Sequence, residues 1–263
     1  MAVEPPVVAG AEPFSADGTG DLGRVGVLVS HGFTGSPFSM RPWAQHLADQ
    51  GFTVRLPRLP GHGTTWQDLN RTPWTSWYAE IRKAYGELEA QCDTIVMCGL
   101  SMGGALALKL AEDVGSTGKL AGLVLVNPAI AIMRKDAQFA KYIAWAVPSR
   151  PGIGNDIKKP SDGGEHGYDK TPLKAFVSMQ AMWKIIVADL AKITVPVLYF
   201  HSDEDHVVDP LSGQLLHAGA VNTTVTEVPL HNSYHVATLD HDAPQIFAES
   251  VEFIQQQVRT PSP

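Results

Sequence analysis

The sequence predicts an α/β fold: a mostly parallel central sheet flanked by helices, with a small inserted cap. Three observations carry this. Short apolar strand-like runs alternate with helix-like periodicities through the first half of the chain and again near its end. The strand-like runs are apolar on both faces, as in a parallel sheet covered on both sides and joined by right-handed crossovers. The alternation lapses between Pro128 and about Lys192. That lapse divides the chain into a core, 1–127 and 192–263, and a cap insertion, 128–191.

The elements follow in order. Residues 1–23, rich in Pro, Gly and Ala, read as a loosely ordered lead-in with room for a short early strand. Arg24 to Ser30 (RVGVLVS) is an apolar strand running into the Gly-rich turn His31-Gly32-Phe33-Thr34-Gly35. Ser39 to Gln50 is a helix stopped by Gly51, and Phe52 to Leu56 is the next strand, followed by the loop PRLPGHG. Thr72-Pro73 opens a helix with Pro at its first position. Trp74, Trp77, Tyr78, Ile81, Tyr85 and Leu88 form its apolar face. Thr94 to Cys98 is a buried strand, and from Met102 the apolar positions Ala105, Leu106, Leu108 and Leu110 return to helical spacing. Leu123 to Asn127 is another strand. Within the insertion, a helix is expected over Asp136 to Val147, then a Pro/Gly-rich stretch, then a helix after Thr171-Pro172. Val195 to His201 and Thr223 to Val228 resume the strands, and Ala243 to Val258 is a closing helix.

At 263 residues the chain suits one large domain, or one domain with an insertion. Its 44% hydrophobic and 18% charged content exclude a disordered chain. A net charge of −7 argues against nucleic acid or an anionic membrane as main partner. No run approaches a spanning length, so no stable membrane insertion is expected. The stretch MAVEPPVVAGAEPF has no basic region followed by an apolar core, so no secretory signal is read. Cys92 and Cys98 in an extended segment lie roughly 20 Å apart, too far to bridge. Both read as reduced and structural, which fits a cytoplasmic location.

Between the Thr94 strand and its helix lies Gly99-Leu100-Ser101-Met102-Gly103, a G-x-S-x-G. Such a turn holds its serine in a strained conformation between small neighbours. Ligands of a doubly wound sheet bind beyond the carboxyl ends of its strands. Those ends offer His31 to Thr34, Ser101, then Asp203/Glu204/Asp205/His206, then His231/His235. Serine, carboxylate and histidine in that chain order are the order of one hydrolase fold. A serine hydroxyl needs a neutral imidazole to take its proton, and the imidazole needs a carboxylate to fix its tautomer. The candidates are Ser101 as nucleophile, Asp205 as acid and His235 as base. The N–H groups of Phe33 and Met102 would receive the developing oxyanion.

Other residues at these loops read differently. His31 and His62 are expected to be architectural, Asp203 and Glu204 loop caps, and His231 solvent-facing. His231-x-x-x-His235 lies in a loop without the glutamate of a zincin helix, so no metal is expected; no cofactor is expected either. Phe139, Trp145, Met179, Met182 and Trp183 are either core or the lining of an acyl pocket.

Four linked stretches, "HGFTGSPFSMRPWAQHLADQGFTVRLPRLPGHGT", "GLSMGGALAL", "SDEDHVVDP" and "NSYHVATLD", resemble the α/β-hydrolase fold, and within it the bacterial monoacylglycerol lipase and small carboxylesterase branch. The resemblance runs from about Gly10 to Phe253. It implies the same five residues: Ser101, Asp205, His235, and the N–H groups of Phe33 and Met102. "GEHGYDKTP" is similar to the E-x-x-Y-x-K-T-P stretch of the monoacylglycerol lipases, where the Glu is associated with glycerol hydroxyls. The resemblance thus implies Glu165 as a substrate-binding residue, and Ile153 as lining the same passage. The alternative is that Glu165, in a Gly/Asp-rich loop, is solvated and touches nothing.

The sequence therefore points to a serine hydrolase cleaving carboxylic esters, most naturally monoacylglycerols, with a small-molecule acyl ester as its partner. An acyltransferase using the same triad with an alcohol acceptor is the competing activity. A non-catalytic ligand-binding member of the fold has no use for all three triad residues.

Overall fold

The structure, a computed structural model, describes residues 5–134, 137, 139–152, 154–160 and 164–259. Among them, seven strands form one sheet in the order β1-β3-β2-β4-β5-β8-β9. These are β1 (Phe14–Ala16), β2 (Val25–Ser30), β3 (Thr53–Leu56), β4 (Thr94–Leu100), β5 (Leu120–Val126), β8 (Val197–Ser202) and β9 (Val225–Leu230). Every neighbouring pair is parallel except the edge strand β1, which runs antiparallel to β3 with Phe14 opposite Leu56.

The central strands β2, β4, β5 and β8 are buried on both faces, which is why they read as continuous apolar runs. Leu28, Met97, Leu123 and Leu125 point to one side, against α3 (Trp74–Gln91) and α4 (Met102–Val114). Val27, Val29, Val96, Cys98, Val124 and Val126 point to the other, against α1 (Arg41–Asp49) and α8 (Ala243–Arg259). On α3 the 3–4 spacing buries Trp77, Ile81, Tyr85 and Leu88, with Pro73 just ahead of the helix as its N-cap residue. A short helix, α2 (Trp66–Leu69), was not expected; Thr65 caps it by accepting from the Asp68 N–H. Cys92 and Cys98 are free and buried.

Between β5 and β8 the chain leaves the sheet. It makes α5 (Ala140–Ile143), a two-stranded antiparallel ribbon of β6 (Ser149–Pro151) and β7 (Lys170–Pro172), and α6 (Leu173–Asp189). Of the helix expected over Asp136 to Val147, the described residues carry the turn Ala140–Ile143, which stops short of Val147, with Asp136 outside the described residues. A physical reason is visible. Phe139, Tyr142 and Trp145 stand 61%, 61% and 82% exposed, so little apolar burial supports a longer helix. Phe139 and Trp145 are accordingly neither core nor pocket lining. α6 behaves differently, because Phe176, Met179, Met182, Trp183 and Ile186 are all buried on it. Its start is tied to the sheet's helices reciprocally. Lys174 N–H donates to Asn70 Oδ1 and Trp74 N–H to Ser178 Oγ, each at 2.9 Å.

α7 (Leu211–Gly219) lies between β8 and β9. No described helix is long and apolar enough to cross a membrane.

Candidate active site

Ser101 sits at the end of β4 as the N-cap of α4, at φ 55° and ψ −117°, a conformation L-residues rarely adopt. What forces it is crowding. A Cβ on Gly103 would come 2.2 Å from the Ser30 carbonyl oxygen, and one on Gly99 2.4 Å from the Gly103 carbonyl. The helix thus starts jammed against β2, and the chain can turn only at the serine. Its backbone is fully engaged: the N–H donates to Val126 O at 2.9 Å, and the carbonyl accepts from Ala105 and Ala129. The side chain opens on a pocket that His235 also lines.

Asp205 and His235 stand in the loops after β8 and β9. Asp205 Oδ2 accepts from His235 Nδ1 at 2.8 Å, and its Oδ1 accepts the N–H groups of Val207 and Val208, both at 2.8 Å. Burial pushes the Asp205 carboxyl up, but the His235 charge and these hydrogen bonds outweigh it and hold it below its ordinary value. For His235, burial acts to lower the imidazole. The charges of Asp205, Glu165 and Asp156 and the Asp205 hydrogen bond prevail and raise it. With Nδ1–H committed to Asp205, Nε2 is the nitrogen left to act as a base.

The first loop carries Phe33 into the pocket wall, beside Gly32 and Thr34. Met102 is the first residue of α4, so its N–H is one of the helix's unpaired donors. Two buried histidines support this loop from below. His31 Nε2 accepts from the Leu59 N–H at 3.2 Å, which leaves Nδ1–H to donate to Gly32 O at 3.0 Å. His62 meets His31 edge to face, with centroids 4.9 Å apart. Burial lowers His31 to about 4 and His62 well below its ordinary value, so both are neutral props. Thr34, at φ 63°, presents its carbonyl to the Tyr168 N–H at 3.1 Å.

Glu165 is buried, not solvated. Its Oε1 accepts from the Asn155 N–H while its own N–H donates to Asn155 Oδ1, both at 2.8 Å. Tyr168 pins the same segment by donating to Gly61 O at 2.7 Å and accepting from the Thr64 N–H at 2.9 Å. Burial raises the Glu165 carboxyl, opposed by the Asn155 hydrogen bond and the His235 charge. Glu165 shares the pocket with Ser101 and His235, in a mostly apolar wall that includes Phe176, Met179, Trp183, Val207 and Val208. The wall suits an acyl chain, with one carboxylate placed among apolar groups. Ile153 lies outside the described residues.

The remaining loop residues also have clear places. Asp203 pairs with the exposed His231 at 2.6 Å, and Glu204 with Lys158 at 2.6 Å. Three residues escaped the sequence reading. Asn127, at φ 45°, donates from Nδ2 to the His235 carbonyl and to Ser202 Oγ. Asp156 and Asp240 hold backbone groups around His235, including the N–H groups of His235 and Tyr234. An Asn just beyond a strand (Asn127) and Asp residues in loops (Asp156, Asp240) were the available signals, too common to single out.

The chain is 42% identical over 259 residues to a thermostable monoacylglycerol lipase from Bacillus sp. (strain H-257), covering 96% of this chain and 98% of that one. A solved structure of metagenome-derived lipolytic enzymes, LipS and LipT, matches with a TM-score of 0.89 at 39% identity, over 95% of this chain and 100% of that one. The monoacylglycerol lipase of Paleococcus ferrophilus shares the fold, with a TM-score of 0.74 at 19% identity over 93% and 98% of the two chains. The Alpha/beta hydrolase family matches residues 27–250. With most of its length matched, this chain belongs to the alpha/beta hydrolase family.

Proposed function

We propose that this ester hydrolase of the α/β-hydrolase family cleaves monoacylglycerols through an acyl-enzyme on Ser101. His235 Nε2 takes the Ser101 proton as Oγ attacks the ester carbonyl, and Asp205 stabilises the imidazolium that forms. The N–H groups of Phe33 and Met102 receive the oxyanion. His235 then protonates the departing glycerol, and water, activated by the same imidazole, releases the fatty acid. Residues 128–191 act as a cap whose apolar wall takes the acyl chain. Two buried free cysteines suit a reducing compartment, and the cytoplasm is the proposed location.

The observation that carries the substrate assignment is Glu165. A carboxylate held in an apolar pocket beside Ser101 and His235 is unfavourable to bury unless it meets donors there. The glycerol hydroxyls of a monoacylglycerol are such donors, and methyl esters have none. The 42% identity to a monoacylglycerol lipase supports the same reading. A panel crossing acyl length with glyceryl, methyl and nitrophenyl leaving groups tests it. Glyceryl esters are expected to lead methyl esters of the same chain by about tenfold or more in kcat/KM. Equal rates would reduce the assignment to a general carboxylesterase. New esters formed when other alcohols are added would point to acyl transfer.

A further inference from the structure

Asp156 lies in the cap segment, yet its carboxylate reaches out of it to the loops that carry Asp205 and His235. Oδ2 accepts from the backbone N–H of His206 at 3.2 Å and of His235 at 3.1 Å. Oδ1 lies 2.8 Å from His206 Nδ1, and the Asp156 carbonyl accepts from the Val236 N–H at 3.0 Å. One cap side chain therefore grips the residue after Asp205 and the main chain of His235 itself. Asp240, almost fully buried, completes the clasp from the other side. It accepts from the N–H groups of Tyr234, Lys158 and Lys159 at 3.0, 2.6 and 2.9 Å. The Lys158–Glu204 ion pair at 2.6 Å and the His206 ring, edge-on to Tyr234, close the assembly.

We propose that Asp156 is a positioning residue for His235, through which the seating of the cap sets the alignment and basicity of the imidazole. The inference rests on the reading of Ser101, Asp205 and His235 as the reacting triad. Its physical basis is twofold. A buried backbone N–H that loses its acceptor shifts to find another, and His235 would carry its ring with it. Displacing a general base by about 1 Å can cost on the order of a hundredfold in rate. The second effect is charge. His235 faces Asp205 from the acid loop and Glu165 and Asp156 from the cap, all of which favour the imidazolium. Around Asp156 stand His206, the Lys158–Glu204 pair and Asp240.

Asp156→Asn keeps an acceptor for the two backbone N–H groups and removes the charge; Asp156→Ala removes both. The test measures kcat/KM against pH on a nitrophenyl ester for both variants, per active site titrated with a fluorophosphonate. Asp156→Asn should move the acid limb to lower pH by about 0.5, since a lost negative charge makes the imidazole easier to deprotonate. Asp156→Ala should lower kcat by about 10- to 100-fold, with KM changed less than threefold. Titration per site separates this from simple loss of folded protein. An unmoved limb in Asp156→Asn together with kcat within twofold in Asp156→Ala overturns the proposal. Asp205→Asn run alongside guards the reading beneath it. If that variant keeps its turnover, the triad assignment is at fault and not Asp156.

Discussion

Asp203 and His231 form a surface copy of the Asp205–His235 pair: 2.6 Å between partners in one case, 2.8 Å in the other. The distances barely distinguish them, and the surroundings do. The Asp203 and His231 side chains are 44% and 75% exposed, against 7% and 8% for Asp205 and His235. Water screens the outer pair, so it contributes little to either stability or chemistry. Asp205→Asn should therefore cut kcat on the order of 10⁴-fold, the scale for a triad carboxylate turned amide. Asp203→Asn should stay within about threefold. Steady-state kinetics on one nitrophenyl ester compares them, and a reversed order would move the acid to Asp203.

The nucleophile can be read directly. A fluorophosphonate should label Ser101 and no other serine, and Ser101→Ala should abolish both labelling and turnover. Peptide mapping that found the adduct on Ser30, Ser36 or Ser233 would contradict the assignment.

The pH dependence follows from His235. As the proposed base it must be neutral to accept the Ser101 proton, and its carboxylate neighbours raise it above the ordinary 6.5. The acid limb of kcat/KM should therefore lie above pH 6.5, with activity rising as pH passes through it. A limb below 6.5 would show that burial, not the carboxylates, dominates the ring.

Glu165 should act on the alcohol part of the substrate. Charge-assisted hydrogen bonds to glycerol hydroxyls contribute roughly 1.5–3 kcal/mol, equivalent to about ten- to a hundredfold. Glu165→Gln or Ala should lower kcat/KM for a monoacylglycerol by about that factor and leave the matching nitrophenyl ester nearly unchanged. Equal losses on both would assign Glu165 to cap structure, consistent only with its Asn155 bonds.

Outside the pocket lining, Glu112 on α4 is buried with neither carboxyl oxygen hydrogen-bonded; Lys109 Nζ stands 3.6 Å from its Oε2 and lies closer to Asp113, at 2.5 Å. Burial raises the Glu112 carboxyl to about 8 from the ordinary 4.5, with Lys109 opposing. The fold thus favours the protonated form. The associated stability is fully present below the ordinary value and is lost as pH rises through 8. Denaturant unfolding from pH 5 to 9 should show that decline, and Glu112→Gln should flatten it.

What the sequence made legible was local. The central strands β2, β3, β4, β5 and β8 are apolar runs that announce themselves, whereas the ribbon strands β6 and β7 carry no such signal and were not expected; Ser101, Asp205 and His235 each follow a sheet strand within a few residues. The strand limits shifted by two or three residues at β5, β8 and β9, because pairing with the neighbour decides where a strand stops. What stayed hidden acts across long sequence separations. Asp156 meets His235 79 residues on, and Asn127 reaches the same histidine over 108. No periodicity marks a side chain whose partner is a distant backbone N–H. Trp145 was misplaced for the converse reason: an aromatic residue signals burial, and nothing in its own segment tells that no neighbour arrives to cover it.

The crowding at the turn after β4 separates two kinds of information in one pentapeptide. Gly99 and Gly103 are fixed by backbone that leaves no room for a Cβ, whatever the serine does. A descendant that had exchanged Ser101 for another small residue would keep both glycines, because the packing of α4 on β2 and β4 would still demand them. In this chain the glycines testify to architecture, and the claim to chemistry rests on the serine between them and its two distant partners.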